Sequence, residues 1–430
     1  MSNIDDKTPC SVTVYIRSPR HVLYRVPVQV RRGKKHIYEP EVVPLGPYHH
    51  RCHPQQQLVE PLKDELRDMV CANNKTLFLS KILRRIDEIR HFYNGANHYT
   101  DDELAEMMLR DACFLICYMQ VCSMQVNETK TLICQRLGMS GMLFMFRDMY
   151  MLENQIPLWL IFLIHPHQSL LCEYLSYNAF GDNRMTHLPW GNGRGEEPLH
   201  LLEASHRTHL CLVETRENSS NCLQLIKTHN QLRERKTSST TLWQERNGQF
   251  RSVTDLKAKG IHFRRSSNCL TNVKFFSFAF YAQLHLPFFY ISNNRKVFLS
   301  NLIAFEMSPE AADTNFGVTS YVYFMKTLIN NAEDVKVLRE KGILYSLLAS
   351  DEEVVEMFKS IDTYGFSNRD LFLAVTMRIE EHCNNKGRIW MADLINTKLR
   401  SPWTVIALAA ATFLLCLTFL QTYFTIHRRS

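Results

Sequence analysis

The densest set of chemistry-bearing side chains is His49, His50, Cys52 and His53, three imidazoles and a thiol within five residues. These are zinc ligands by type, and a closed structural site needs about four of them in tetrahedral array. Such sites normally join two separated ligand pairs, and no second pair stands at a fitting distance downstream. The cluster therefore reads as structural or surface, with a metal-dependent use as the alternative. His200, His206, His209 and Cys211 offer two ligands on one helix face, but the glutamate base of an HExxH arrangement is absent. GNGRG at 191–195 has the glycines of a phosphate cradle. A working cradle sits at a strand-to-helix turn and is followed by Lys-Ser or Lys-Thr, and neither condition holds. No GxSxG elbow occurs, so a serine hydrolase has no motif. Glu153-Asn154-Gln155, a polar triplet between apolar segments, reads as a set of hydrogen bonds that closes the chain break before Pro157, because buried polar groups must be satisfied. No catalytic, cofactor-binding or metal-binding residue is assigned.

The elements that would position these groups are mostly helical. Leu58, Leu62, Leu66, Met69 and Val70 recur at helical spacing, and Leu79, Ile82, Leu83, Ile86 and Ile89 repeat it. Thr100 with Glu103 forms a capping box before an apolar run to Val121, which predicts a central helix. Residues 142–164 are nearly free of charge, and Pro157 divides them. Ser252 with Asp255, Ser350 with Glu353 and Ser367 with Asp370 mark further helix starts, while Gly260, Gly342 and Gly387 mark stops. Between Tyr38 and His50 the prolines 40, 44 and 47, with Gly46, forbid a helix and predict an extended strap laid onto the body. Segments 261–265, 274–281, 284–291 and 296–299, rich in Phe, Tyr, Ile and Val, predict a small antiparallel sheet.

The expected organisation is a basic lead-in at 1–36, an N-terminal helical part at 37–214, a polar linker at 215–250, a C-terminal α/β part at 251–400, a membrane helix at 401–426 and a tail at 427–430. Apolar content of 45% and charged content of 22% fit a folded body. The net charge of +7 is spread too thinly to imply nucleic acid. Thirteen cysteines at irregular spacing fit a reduced compartment. From Trp403 through Ile426 no charged residue occurs, and basic residues flank both ends, so the sequence predicts a transmembrane helix between those boundaries. A single-pass, tail-anchored protein with a cytosolic body, in an endomembrane or the plasma membrane, follows as the expectation. Ala407 and Ala411 lie on one face of that helix, so self-association is a second expectation.

Several motifs, in one order, resemble a plant family called domain of unknown function 247. They are YEPEVVPLGPYHH (38–50), MLENQIP (151–157), NLIAFE (301–306), TSYVYFMKTLIN (319–330), SDEEV (350–354) and SPWTVIALAA (401–410). Its family-motif residues here are Tyr38, Pro40, Gly46, Pro47, Tyr48, His49, His50, Leu152, Glu153, Asn154, Gln155, Pro157, Asn301 and Glu306. Pro44 and Ala112 depart from the usual pattern. The resemblance implies a mainly helical plant protein with a C-terminal transmembrane helix and no established enzymatic activity; some grass members are associated with pollen self-incompatibility. The combined expectation is a mainly α protein that is not an enzyme. It would be a membrane-tethered interaction or recognition protein with an unidentified protein partner and no cofactor, in plant cell recognition or signalling. The alternative is a hydrolase or metal-dependent enzyme using the His-rich strap.

Overall fold

The computed structural model describes residues 22–50, 56–93, 98–122, 128–181, 185–190, 197–210, 251–266, 269–278, 281–311, 315–385, 387 and 402–427. The chain enters through two single turns, α1 (Val28–Arg31) and α2 (Lys35–Tyr38). It is already inside the body there: Leu23 and Val26 are buried, and Leu23 bridges to Tyr93. In the described part of the expected lead-in Val22, Leu23, Val26 and Val30 reach the core, while Arg25, Val28, Arg32 and Lys35 stay exposed. After the strap come α3 (Gln56–Cys71), α4 (Lys75–Leu83), α5 (Ile86–Phe92) and α6 (Asp101–Cys122). The expected second helix divides at Arg84 and Arg85. Thr100 and Glu103 exchange both bonds of the predicted capping box. Helix α6 buries residues on all sides, because α3, α4 and α5 pack on it together with α7 (Glu128–Asp148), α8 (Trp159–Ile164) and α9 (Ser169–Phe180). Helix α10 (Leu201–Leu210) completes this half.

The second half opens on α11 (Val253–Ala258), where Ser252 and Asp255 form the expected capping box. The expected single antiparallel sheet is corrected to two small sheets. β1 (Ile261–Arg265) and β2 (Lys274–Ser277) flank β3 (Ala282–Leu286); β3 is parallel to β1 and antiparallel to β2. β4 (Phe289–Ile291) pairs in parallel with the distant β5 (Leu344–Ser346). Pro287, which lacks an N–H for the ladder, lies between β3 and β4 and divides what reads as one strand. Residues 296–299 are helical, inside α12 (Arg295–Glu306). Three apolar residues, Val297, Phe298 and Leu299, are too short a run to reveal their period.

Helices α13 (Gly317–Leu328), α14 (Ala332–Glu340), α15 (Asp351–Ser360) and α16 (Arg369–Asn384) follow. Ser350 caps α15 as expected, whereas α16 is capped by Asn368 rather than Ser367. Gly260 and Gly342 adopt the positive φ expected of helix stops. One contiguous apolar core runs from Leu23 to Cys383, drawing on both halves. The nine described cysteines are all free thiols. The polar stretch 215–250 lies outside the described residues.

The segment between Trp403 and Ile426 is helical, as part of α17 (Pro402–His427), but its expected role is corrected. Among the described residues no helix is long and apolar enough to cross a membrane. Along this helix the hydroxyls of Thr418, Thr422 and Thr425 donate to the carbonyls of Leu414, Thr418 and Gln421 at 2.8, 2.8 and 2.7 Å. The transmembrane part of the expected fold class falls, and the anchoring built on it is withdrawn.

Candidate functional site

A Pro-rich extended strap cannot satisfy its own amides, so other side chains must do it. The amides of Glu41, Val42 and Val43 donate to Asp148, with Val42 at 2.7 Å and Val43 at 2.9 Å from Oδ2. Leu45 donates to Asn154 Oδ1 at 2.6 Å, and Gly46 to Asp111 Oδ2 at 2.7 Å. Lys63, 1% exposed, donates to the Pro44 carbonyl at 2.5 Å and to Asp111 at 2.7 Å. Burial alone would lower its pKa, but Asp111 and Glu60 overcome that and raise it, so this interior lysine stays charged. Gly46 sits at φ +66°, where a Cβ would meet Tyr93 Oη at 2.7 Å. That hydroxyl is itself committed to the Gln155 carbonyl at 2.8 Å.

The other expected motif residues join the same network. Glu153 accepts from Val26 N at 2.7 Å and from Arg31. Asn154 Nδ2 donates to the Val43 and Asp148 carbonyls at 2.9 Å each. Gln155 donates to Met149 and Met151 and accepts from Leu202 N at 2.9 Å. Asn301 accepts from Leu152 N at 2.9 Å and donates to the Ile37 carbonyl at 2.8 Å, and Leu152 is buried. Glu306 accepts from His206 at 2.8 Å and from the amides of Val318 and Thr319 at 2.9 Å each. Tyr38 and Tyr48 are buried, and the Tyr48 hydroxyl donates to the Leu23 carbonyl at 2.9 Å. These residues are spent on holding backbone in place.

The structure does not assemble the His-rich strap into a ligand set among the described residues. His49 is buried with Nε2 3.5 Å from Glu153 Oε2, and burial, then Arg31 and Arg25, lower its pKa to about 4, so it is neutral. His50 turns its ring to Tyr99. Cys52, His53, Cys211 and the GNGRG loop lie outside the described residues. Of the second histidine group, His206 is spent on Glu306. His200 instead meets Glu203 and Glu310, which the sequence reading missed because Glu310 is 110 residues away. The trio's donor atoms lie within 4.8 Å of one another. Most of them are occupied: His200 Nδ1 accepts from Glu203 N at 3.2 Å, and Glu203 accepts from Leu199 N at 2.7 Å and pairs with Arg207. This is a capped start of α10 with a buried His–Glu pair, and only Glu310 Oε2 remains unpartnered. A metal would have to displace Arg207.

The open chemistry lies on the solvent face of the three-stranded sheet. Strand alternation turns Ile261, Phe263, Phe275, Leu284 and Leu286 inward and leaves His262, Arg264, Lys274, Phe276, Gln283 and His285 facing out. Beside them Phe278 stacks on Tyr281 with ring centres 4.7 Å apart, and Phe276 meets His285 edge-on at 5.1 Å. Phe276, Phe278 and Tyr281 are 42%, 43% and 37% exposed. No carboxylate stands among these positions. Partial burial first, then Lys341, Arg264 and Lys257, lower the pKa of His262; partial burial, then Arg264 and Lys274, lower that of His285. The face is neutral at its imidazoles, positive at its rim and aromatic throughout.

The body is mainly helical with two minor sheets, and its motif residues hydrogen-bond largely to its own backbone. The chain belongs to the family described as plant protein of unknown function, domain of unknown function 247, which it matches over residues 23–417. It is similar to UPF0481 protein At3g47200 of Arabidopsis thaliana, with 26% identity over 427 residues, covering 93% of this chain and 85% of that one. It is also similar to a second UPF0481 protein of the same plant, At3g02645, with 29% identity over 174 residues, or 40% of this chain and 32% of the relative. No solved structure matches.

Proposed function

We propose that this protein is a non-enzymatic interaction module and that the outer face of β1–β3–β2 docks an acidic segment of another protein. The observation that carries the reading is that face: three part-exposed aromatic rings beside Arg264 and Lys274, on a sheet whose two outer strands are both edges. Exposed aromatics bounded by charge are the composition of an interface, and positive charge selects a negative partner. The test compares proteins co-purified from plant cells by the wild-type chain and by a Phe276→Ala, Arg264→Glu, Lys274→Glu variant. Selective loss of partners bearing acidic segments, followed by direct binding of one such segment to the wild type alone, is the expected result. Unchanged partners, or binding of single-stranded nucleic acid by the face in place of protein, would overturn it.

A further inference from the structure

Arg295 opens α12, and its guanidinium carbon lies 4.8 Å from the ring centres of both Phe289 and Phe298. The side chain thus sits between two apolar rings. Its Nε is buried and makes no hydrogen bond. The groups acting on its charge are the hydroxyls of Tyr321, Tyr150 and Tyr290, and no carboxylate pairs with it among the described residues. The same two phenylalanines gather further polar side chains. Phe298 meets Tyr150 at 4.8 Å and His209 at 5.2 Å, and Phe289 meets Tyr321 at 5.8 Å. The Tyr150 hydroxyl has Ser205 and Tyr174 as hydrogen-bonding neighbours but closes no bond of ordinary geometry with either.

Four buried atoms in this neighbourhood have no hydrogen-bond partner: Tyr150 Oη, Tyr321 Oη, Ser205 Oγ and His209 Nε2. Their residues are 1%, 0%, 1% and 2% exposed. A scattered orphan is tolerable, but four around one unpaired guanidinium is a pattern that a folded core does not keep without a reason. Water could satisfy the hydroxyls, but the guanidinium, which has two phenylalanine faces and no carboxylate among the described residues, would still lack an opposite charge. An anion answers both needs. Helix α12 adds to the pull: its first turn carries no acid, and Asn294 supplies no side-chain cap, so its amino-terminal pole is unopposed. Arg295 itself is half-buried, which gives the neighbourhood a way in from solvent.

The donor set narrows the ligand. The guanidinium, two phenols and the serine hydroxyl donate. His209 donates its Nδ1 proton to the Ser205 carbonyl at 2.8 Å, so Nε2 of the neutral ring accepts. Burial and then Arg295 lower the His209 pKa to about 3, which keeps the ring neutral. We propose that Arg295, with Tyr150, Tyr321, Ser205 and His209, forms a site for a tetrahedral oxyanion that carries a proton, that is, phosphate or a phosphate monoester. Fully ionised sulfate matches the donors but has no proton for His209. This inference does not rest on the docking face.

The test is titration calorimetry of the full chain at about pH 6, where phosphate and about half of a phosphate monoester still carry a proton, and at constant ionic strength, with inorganic phosphate, phenyl phosphate and sulfate in separate arms. Saturable phosphate binding, tighter than sulfate, is expected; phenyl phosphate binding as well assigns the monoester, and its failure restricts the site to the free ion. Affinity should fall about a hundredfold in Arg295→Gln and about tenfold in Tyr321→Phe, which loses only a hydroxyl and keeps the ring that packs the core. No saturable binding to wild type, or equal binding to wild type and Tyr321→Phe, would overturn the proposal. So would phosphate and sulfate raising the unfolding temperature equally in wild type and in both variants, since that is general surface exclusion.

Discussion

The strap network and the Arg295 neighbourhood bury polar groups in the same core, and they differ in closure. Around the strap, amides, carbonyls, two acids, an asparagine and Lys63 meet one another at 2.5 to 2.9 Å. Around Arg295, its Nε and the side-chain atoms Tyr150 Oη, Tyr321 Oη, Ser205 Oγ and His209 Nε2 are buried without a partner of ordinary hydrogen-bond geometry. The first arrangement stabilises the fold, because the strap's desolvated amides and carbonyls regain partners, though Glu153 Oε2 and Arg31 Nε do not. The second recovers little from folding alone. A buried polar cluster that closes on itself is architecture, and one left open is a place for something else.

Substituting the interior cations sharpens this contrast most. Lys63→Met leaves Asp111 buried without its counter-charge and should cost about 3 to 5 kcal/mol in urea unfolding. Gly46→Ala attacks the same network through the backbone. Positive φ and contact with Tyr93 Oη combine, and a loss of about 3 kcal/mol is expected, read as a lower urea midpoint at unchanged slope. A loss under about 1 kcal/mol in either variant would mean that the strap is loosely held.

Acidification is expected to act on both regions. His49 and His209 have folded pKa values lowered to about 4 and about 3, so the unfolded chain takes up protons that the native state refuses. Their contribution is fully present above the unfolded value of about 6.5 and is lost as pH falls below it, at about 1.4 kcal/mol per pH unit for each histidine. The loss continues to about pH 4 for His49 and to about 3 for His209. Unfolding midpoints measured from pH 7.5 downward check this, and His209→Asn should remove one histidine's share of the slope. The smallest effect belongs to Arg295→Met in phosphate-free buffer. Replacing an unpaired cation between two phenylalanines should change stability by no more than about 1 kcal/mol. A loss comparable to that of Lys63→Met would show that the two regions are alike after all.

How much of this was legible in the sequence follows from distance along the chain. The capping boxes at Thr100 and Ser252 and the cap at Ser350 are local, so residue type and spacing reveal them. The strap announces itself through three prolines, but its partners Asp111 and Asp148 stand 65 to 107 residues away and carry no local mark. Asn368 took the cap from Ser367 because both residue types cap well and backbone geometry chose between them. Sheet topology was misread because strand runs do not encode partners: β4 pairs with β5 more than fifty residues later. The terminal run read as a membrane span because it lacks charge, whereas among the described residues no helix is long and apolar enough to cross a membrane. Arg295 stood beside a presumed strand, and nothing nearby disclosed that its surroundings would hold no acid.

Native-state hydrogen exchange at the strap amides tests the central claim most directly. If side chains from distant helices hold the strap as part of the core, the amides of Val42, Val43, Leu45 and Gly46 exchange only through global unfolding, with the same opening free energy as buried amides of α6. Exchange of these four amides at markedly lower free energy than α6, with the rest of the fold intact, would contradict it.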